Sequence, residues 1–336
     1  MILFLLLIYI FLGSLGAWLI LRYAGTIDLL DHSNDRSSHK GVIPKGGGIG
    51  ILAAIVISSI SAKITPAFWG AATALSFISL LGDRKEISPK LRLTVQFISA
   101  IIFLVFSHQY THTSYPIPAI LFFVLFIVAT TNWYNFMDGI NGIAAITAIV
   151  GFSLLTYYNL DSHSNNKLTI LSVSIIFSCL GFMPFNFPKA KVFMGDVGSI
   201  LIGFVFSSFV VMLSDNFLDF VCLTGFLFPF YADEFVTMAI RLKDGENFFK
   251  AHRRHFYQLL ANEMSIEHWK VSIGYGLLQL IVGLSILFTR PFGVSYVILI
   301  LSCFLAVFII ANYIIRKKLG VRYEEIKAKS HKKIRN

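Results

Sequence analysis

The chain has 336 residues, of which 56% are apolar and only 14% are charged, and its mean hydropathy is +0.73. Soluble domains carry about 25% charged residues, so the composition excludes a soluble globular domain, a disordered chain and a disulfide scaffold. The net charge of +10 would suit a nucleic-acid partner, but Lys and Arg also encode the orientation of membrane proteins. The positions of these residues decide between the two interpretations.

Apolar runs of about 16 to 21 residues recur along the chain, and each is long enough to cross a bilayer as a helix. Backbone groups in lipid must be satisfied internally, which continuous runs of this length achieve as helices. We therefore predict an all-α, polytopic membrane helix bundle with about 11 transmembrane helices. The predicted spans cover residues 2–22, 46–62, 66–82, 91–107, 116–132, 139–157, 168–183, 197–213, 217–238, 271–289 and 293–315.

The basic residues predict the orientation of the bundle. All but three of the 28 Lys and Arg residues fall on one set of loops, the exceptions being Lys63, Lys167 and Arg290. The positive-inside rule then places the N-terminus in the periplasm and the C-terminus in the cytoplasm. We expect residues 1–315 to form the membrane domain and residues 316–336 a basic cytoplasmic tail. Topology accounts for the excess charge, so no nucleic-acid partner is predicted.

The predicted cytoplasmic loops hold most of the chemically informative residues. They contain carboxylates, imidazoles, amides and clustered glycines, whereas the external loops are short and bland. Convergence of such groups at one membrane face is what a charged substrate and a lipid partner require. The predicted active-site loops are 23–45, 83–90, 133–138, 184–196 and 239–270.

Asp196 directly precedes a predicted span. A carboxylate there can act as an N-cap by accepting hydrogen bonds from the first backbone amides of the helix. The flanking Gly195 and Gly198 also permit close backbone approach, and a carboxylate at a polar membrane mouth suits Mg²⁺. The spacing leaves both interpretations open.

Asp138 also precedes a span and could be another cap. If the helix has already begun there, Asn141 lies on the same face and Asn135 one turn earlier. Asp83 is harder to explain as structural, because it falls at the C-terminal end of a span where the helix dipole disfavours an anion. A neighbouring basic residue, a metal or a substrate proton would each account for it.

His252 and His255 are three residues apart, with Arg253 and Arg254 between them. Protonated imidazole and guanidinium groups both donate to phosphate oxygens, whereas zinc would need a further protein ligand. The pattern favours phosphate binding, with an exposed basic cluster as the alternative.

Three glycines, Gly46 to Gly48, follow Lys45 and open a span. Such a segment can present amides to phosphate. Glycines also ease helix packing, so this signal is weak alone.

Five motifs together resemble the polyprenyl-phosphate N-acetylhexosamine-1-phosphate transferases, relatives of the phospho-N-acetylmuramoyl-pentapeptide transferase. They occur in the family's order and run from residue 31 to 258. The RSSH and AHRxHxYQ forms are most similar to the branch that starts O-antigen or capsule repeat units. The motifs are NDRSSHKGVIPKGGGI, GDRKEISPKLRLTVQ, NFMDGINGIA, FNFPKAKVFMGDVGS and AHRRHFYQ.

The resemblance implies an enzyme that transfers a HexNAc 1-phosphate from a UDP-N-acetylhexosamine to undecaprenyl phosphate, releasing UMP. This would be the first membrane step of O-antigen or cell-envelope polysaccharide synthesis, in the bacterial inner membrane with the active site facing the cytoplasm. The sequence leaves open which UDP-HexNAc is used and whether the protein is a homodimer.

The resemblance also implies roles for individual residues. Asp196 is the implied ligand of Mg²⁺, with Mn²⁺ as the alternative ion, and Asp83 and Asp138 are the implied catalytic residues. Gly82 stands where the family usually has a second carboxylate, so Asp83 must act alone, and Asn141 replaces a frequent Asp. The implied substrate-binding residues are Lys45, Asn135, Asn141, Asn186, His252, Arg253 and His255.

A transporter or flippase of lipid-linked sugars is the alternative from another class. Transporters place their site near the bilayer midplane on broken helices, whereas most polar candidates here lie at one rim. Asp233 and Glu234 are the acidic residues predicted to lie deeper.

Overall fold

The computed structural model describes residues 2–33, 38, 41–85, 87–107, 116–247 and 252–320. The predicted all-α class is confirmed except for one short antiparallel hairpin in which Leu30 pairs with Pro44. Strands of three residues are too short to show alternation in a sequence, so the hairpin was not predicted. The elements are α1 (Ile2–Ile27), β1 (Leu30–His32), β2 (Val42–Pro44), α2 (Ile49–Ser61), α3 (Pro66–Arg84), α4 (Pro89–Phe106), α5 (Pro116–Phe136), α6 (Ile143–Ser162), α7 (Asn166–Asn186), α8 (Asp196–Leu213), α9 (Phe217–Gly225), α10 (Phe228–Lys243), α11 (Phe256–Gln258), a π-helical turn (Leu259–Glu263), α12 (His268–Thr289), a 3₁₀ turn (Arg290–Phe292) and α13 (Val294–Leu319).

Each predicted span coincides with one helix or with the α9–α10 pair. Among the described residues, eight helices are long and apolar enough to cross a membrane, or nine if the bent α9–α10 pair counts as one span. The helix α2 has only 13 residues, and α3 is less apolar and ends in Asp83 and Arg84. Length and composition therefore support eight or nine spans, and the expected number of about 11 is not confirmed. The chain is a multi-pass membrane protein, and residues 321–336 of the predicted tail lie outside the described part.

The helix α8 forms the centre of the bundle. Its span is 89% buried, and it packs against α3 and α5. Gly203 allows the contact with α5, because a Cβ there would lie 2.8 Å from the Cβ of Tyr134. A helix that is apolar all round needs such burial on every side. The first residue of α8, Asp196, is thereby fixed in the middle of one end of the bundle.

The helices α9 and α10 meet at a bend of 85°. A bend of this size frees backbone carbonyls, which must find donors inside an apolar bundle. The side chain of Gln279 in α12 donates to the carbonyl of Phe226 at 2.8 Å and to that of Thr147 at 3.2 Å. This buried amide therefore holds the bend against α6 and α12.

The two ends of the bundle differ in their polar contacts. Lys63, Lys167 and Arg290 share one end, where Lys167 donates to the carbonyl of Lys63 and Arg290 pairs with Asp161 and Asp219. The loop and helix-end residues Asp31, Lys45, Asp83, Arg92, Asn186 and Asp196 meet at the opposite end. The separation agrees with the predicted grouping of the loops onto two faces.

Candidate active site

A polar cavity of about 400 Å³ lies where α3, α5 and α7 end and where α4 and α8 begin. Its residues come from segments far apart in the sequence that converge at one end of the bundle. The structure brings six of the ten predicted site residues into its lining: Lys45, Asp83, Asn135, Asp138, Asn186 and Asp196.

Asp196 presents its carboxylate to this cavity. The preceding Gly195 has a φ of +74°, and a Cβ on it would lie 2.8 Å from Oδ2 of Asp83, so the turn into α8 requires glycine. The N-cap of α8 is Gly195, which has no side chain, and Asp196 is the first residue of the helix. The N-cap interpretation of Asp196 is therefore wrong. Oδ1 of Asp196 accepts a hydrogen bond from Nδ2 of Asn135 at 2.8 Å, and Oδ2 contacts the guanidinium of Arg92.

Asn135 joins α5 to α8. Besides its bond to Asp196, its Nδ2 donates to Oγ of Ser199 at 2.8 Å. Both acceptors lie in the first turn of α8, so this amide fixes the direction of the Asp196 carboxylate. Asn135 therefore positions Asp196, and Asn135 itself also lines the cavity.

The side chain of Asp83, at the end of α3, is only 6% exposed and is stabilised by two neighbours. Its Oδ1 lies 3.9 Å from Nζ of Lys45, and its Oδ2 accepts from the backbone N–H of Val197 at 3.5 Å. Lys45 also lies 3.9 Å from Oδ1 of Asp31. The ammonium group of Lys45 therefore stands between the carboxylates of Asp31 and Asp83. Its positive charge compensates the unfavourable position of Asp83 at a helix C-terminus.

Asp138 follows α5 in a short turn and is partly open to the cavity. Burial, and then the nearby Asp83 carboxylate, raise the pKa of Asp138 well above its ordinary value. The surrounding protein thus favours the neutral form of this carboxyl group. A neutral carboxyl can donate a hydrogen bond, which an ionised one cannot.

The two further asparagines have different positions. Asn186 is buried at the edge of the cavity, where its Oδ1 accepts from the backbone of Gly142 at 2.7 Å and its Nδ2 donates to the carbonyl of Val192 at 2.9 Å. Its amide is therefore occupied in holding two loops. Asn141 lies outside the cavity lining, with its Nδ2 donating to the carbonyl of Pro188 at 3.3 Å.

The histidine segment, residues 252–258, lies beside the cavity; Gln258 lines the cavity, whereas His252 and His255 do not. His255 is buried, with Nδ1 3.6 Å from Oδ1 of Asp233 and Nε2 3.6 Å from Oε1 of Glu234. His252 lies next to it, at 4.7 Å between ring centroids. Burial, and then the neighbouring His255, lower the pKa of His252 to about 3, so it stays uncharged near neutral pH. Arg253 also lies outside the cavity lining.

The amides of the glycine segment are used by the protein backbone. Gly46 and Gly47 both donate to the carbonyl of Phe193, and Gly48 donates to that of Met194. A Cβ on Gly48 would lie 2.4 Å from Cα of Gly198. The structure therefore supports the packing interpretation of these glycines, because α2 and α8 approach too closely for a side chain.

Several lining residues were not predicted as site residues: Arg92, Asp31, Ser38, Ser199 and Gln258. Arg92 was counted only as a charge that sets orientation. The cap of Ser88 on α4, which accepts from Leu91 at 3.3 Å, places Arg92 in the first turn of that helix. An arginine one turn inside a span, next to a motif carboxylate, is the signal that could have identified it. Apart from Ser38, the RSSH motif lies outside the described residues.

The donor set can be compared with the requirements of Mg²⁺. In the described part of the chain, no three His, Cys, Asp or Glu side chains are arranged to hold a metal by themselves. Mg²⁺ in phosphate-transfer sites is commonly bound by one or two carboxylates, with substrate phosphates and water completing its coordination. The oxygen ligands available from Asp196 fit that mode, whereas they would not suit a closed structural metal site.

The fold and the cavity define a multi-pass membrane protein with a carboxylate-rich and partly basic site at one end of its bundle. Residues 65–214 match the family model described as glycosyl transferase family 4. The match covers 150 of the 336 residues and confirms the resemblance found in the motifs.

Three relatives illustrate the similarity. A probable undecaprenyl-phosphate N-acetylglucosaminyl 1-phosphate transferase of Bacillus subtilis is 32% identical over 207 residues, covering 55% of this chain and 56% of that protein. The undecaprenyl-phosphate alpha-N-acetylglucosaminyl 1-phosphate transferase of Thermotoga maritima is 29% identical over 290 residues, covering 84% and 89%. A phospho-N-acetylmuramoyl-pentapeptide-transferase of Staphylococcus epidermidis is 31% identical over 217 residues, covering 55% and 66%. The match thus spans only about half of the Bacillus relative but most of the Thermotoga one.

Proposed function

We propose that this chain transfers N-acetylhexosamine 1-phosphate from a UDP-N-acetylhexosamine to undecaprenyl phosphate. A phosphate oxygen of the lipid forms a bond to the β-phosphorus of the nucleotide sugar, the bond from that phosphorus to the UMP oxygen breaks, and UMP leaves. The observation that carries the proposal is the meeting of Asp83, Asp138 and Asp196 with Lys45 and Arg92 in one cavity. The names of the relatives, which specify the same acceptor, support it.

The two basic side chains address the main electrostatic obstacle. Donor and acceptor are both anions, so their encounter needs fixed positive charge where negative charge accumulates. Arg92 contacts Asp196, and Lys45 lies between Asp31 and Asp83. Each cation is held in place by carboxylates before substrate arrives. An incoming diphosphate can accept hydrogen bonds from the same groups, and arginine is suited to do so with two parallel bonds.

Asp196 is the residue that would hold Mg²⁺, with Mn²⁺ as the alternative ion. When bound, such an ion supplies charge stabilisation to the diphosphate. The chain itself supplies the orientation, because Asn135 fixes Oδ1 of Asp196 from α5. The geometry places this carboxylate beside Arg92, so both would act on the same part of the substrate.

Asp138 and Asp83 receive different roles under this proposal. The phosphate of the lipid acceptor is already largely ionised near neutral pH, so the reaction does not require a strong base. Asp138, with its raised pKa, can donate a hydrogen bond from its carboxyl group to a phosphate oxygen and so orient the acceptor. Asp83 holds Lys45 in the cavity by charge.

We place the prenyl chain in an apolar groove of about 630 Å³ between α5, the α9–α10 bend and α13. Trp133, Tyr231 and Phe235 form an aromatic cluster in this groove. Trp133 precedes the cavity residue Asn135 by two positions, so groove and cavity flank the same end of α5. Burial of the apolar tail would contribute about 25 cal/mol for each Å² removed from water.

The setting of the reaction is part of the proposal. We place the active site at the cytoplasmic face of the bacterial inner membrane, because the predicted orientation puts the basic loops there. The product would start an O-antigen or other cell-envelope polysaccharide. The identity of the UDP-HexNAc is best determined by comparing UMP release across GlcNAc, GalNAc, QuiNAc and FucNAc donors.

The proposal is tested by measuring UMP release by the purified chain with UDP-HexNAc, undecaprenyl phosphate and Mg²⁺. We expect Asp196→Asn to abolish release while the protein stays folded. Asp215→Asn is the matched control, since Asp215 is exposed and pairs with His163 at the opposite end of the bundle. Equal activity in both variants would remove Asp196 from the site. Vesicles that move lipid-linked sugar without releasing UMP would instead support the transporter.

A further inference from the structure

Asp233 in α10 is a buried carboxylate that does not line the cavity. Its Oδ1 accepts from the backbone N–H of Phe256 at 2.7 Å and from Oγ1 of Thr237 at 3.1 Å. Its Oδ2 accepts from the backbone N–H of Tyr257 at 3.1 Å and from the hydroxyl of Tyr275 at 2.7 Å. Two helices and the histidine segment thus converge on one fully buried side chain.

Such an arrangement is unusual for a residue that only fills space. Burying a carboxylate is costly unless donors replace its water, and here four donors and a neighbouring imidazole do so. Burial lowers the pKa of His255, but the negative charges of Asp233 and Glu234, each 3.6 Å from one of its ring nitrogens, outweigh burial and raise it. Asp233 therefore fixes both the backbone of the segment and the charge of its histidine.

Besides Gln258, which lines the cavity, Tyr257 connects the histidine segment to the turn that carries Asp138. The ring of Tyr257 stacks on His255 at 5.7 Å between centroids, and its hydroxyl donates to the carbonyl of Phe136 at 3.0 Å. A Cβ on Gly139 would lie 2.1 Å from the same hydroxyl oxygen. Tyr257 is thus packed against the turn between residues 136 and 139, which carries Asp138.

We propose that Asp233 is a positioning residue for the cavity. Its carboxylate holds the backbone at Phe256 and Tyr257, and the Tyr257 hydroxyl in turn holds the turn that carries Asp138. The kinetic consequence rests on the proposed function, because it assumes that Asp138 orients the acceptor. The mechanical link between the two segments does not depend on that function.

The test combines hydrogen exchange with kinetics on the full-length protein. Asp233→Asn introduces an NH₂ group among N–H and O–H donors, and Tyr257→Phe removes only the hydroxyl that reaches Phe136. Asp219→Asn is the matched control, because Asp219 is equally a buried acceptor, for Tyr158 and Asn216, at the opposite end. Thr237→Val removes a single donor from Asp233.

We expect Asp233→Asn to accelerate amide exchange in both segments, residues 252–263 and 136–140. Tyr257→Phe should accelerate exchange only in 136–140. Both should lower kcat for UMP release at least tenfold with little change in KM for the nucleotide sugar, because displacing a reacting group by about 1 Å costs up to about 10²-fold in rate. Asp219→Asn and Thr237→Val should keep kcat within about twofold of wild type.

Different failures have different meanings. A folded Asp233→Asn or Tyr257→Phe protein with unchanged exchange at 136–140 would show that the link does not exist. Accelerated exchange with normal kcat would show that the link does not position the reaction. If Asp233→Asn does not fold, amide exchange at 136–140 and kcat in the Tyr257→Phe variant decide whether the link exists and positions the reaction. If the wild-type protein releases no UMP, the proposed function fails, and exchange still decides whether Asp233 holds the turn.

Discussion

The guanidinium of Arg92 contacts the carboxylate of Asp196 across the cavity. The two residues lie in the first turns of α4 and α8, respectively, so two helix starts that are distant in sequence meet through opposite charges. This pair places a fixed cation beside the carboxylate that we propose as the metal ligand. The relationship gives the first prediction.

Arg92→Gln should lower kcat/KM for UMP release by about 10²-fold, the usual effect of removing one preorganised donor from a charged transition state. Arg92→Lys should recover only part of the activity, because an ammonium lacks the planar fork of a guanidinium. Arg84→Gln is the control, since Arg84 is basic, exposed and outside the cavity lining. Equal kinetics for the Arg84 and Arg92 variants would exclude Arg92 from the site.

Asn186→Ala should reduce both stability and activity. It removes two buried hydrogen bonds, to Gly142 and Val192, and leaving such groups unpaired costs about 1–3 kcal/mol each. Asn165→Ala removes the N-cap of α7 at the other end, which costs about 1 kcal/mol. The thermal midpoint in detergent should fall for both, whereas UMP release should fall only for Asn186→Ala. Normal turnover by that variant would show that the loops need no such anchor.

The raised pKa of Asp138 predicts a pH-dependent stability. A carboxyl whose pKa is raised by folding contributes stability that is complete below its unfolded pKa, about 3.9, and is lost as the pH rises through its folded pKa. Asn cannot ionise, so Asp138→Asn should not show this loss. With a chelator present, the thermal midpoint of the variant minus that of wild type should increase from pH 5 to pH 8. Parallel curves for the two proteins would contradict the burial of Asp138.

The contact between Gly48 and Gly198 should tolerate no side chain. A Cβ on Gly48 would lie 2.4 Å from backbone of α8, so Gly48→Ala must separate two helix starts and should cost about 1–3 kcal/mol, as overpacking commonly does. Gly25→Ala is the control, because nothing lies within 4 Å of its Cβ position and alanine favours the helix. Thermal midpoints measure the difference. Equal midpoints would show that α2 and α8 do not pack this closely.

The positions of the helices could be predicted from the sequence because apolar length is a local property. The number of spans is not confirmed, because α2 is short and α3 is less apolar than the helices that length and composition identify as spans. The bend between α9 and α10 was also missed. It is stabilised by Gln279, which reaches the carbonyl of Phe226 from α12, and a contact across 53 residues leaves no local pattern.

The candidate site likewise contains residues that local sequence identifies and residues whose position depends on distant parts of the chain. Asp83, Asp138 and Asp196 were selected because each stands at a span boundary in a distinctive motif, and the structure brings all three to one cavity. Arg92 was missed because a basic residue near a span end is ordinarily explained by topology. The position of His255 depends on Asp233 in another helix, so its burial could not be read from the spacing of the two histidines.

The most direct test of the account follows the β-phosphate of the donor. The purified chain is incubated with undecaprenyl phosphate and a UDP-HexNAc labelled with ³²P only at the phosphate next to the sugar, and the lipid and aqueous phases are then separated. Transfer of HexNAc 1-phosphate predicts that the label enters the lipid phase in equal amount to the unlabelled UMP released. Label that remains in the aqueous phase as UDP or inorganic phosphate, with the sugar alone on the lipid, would contradict the proposed reaction.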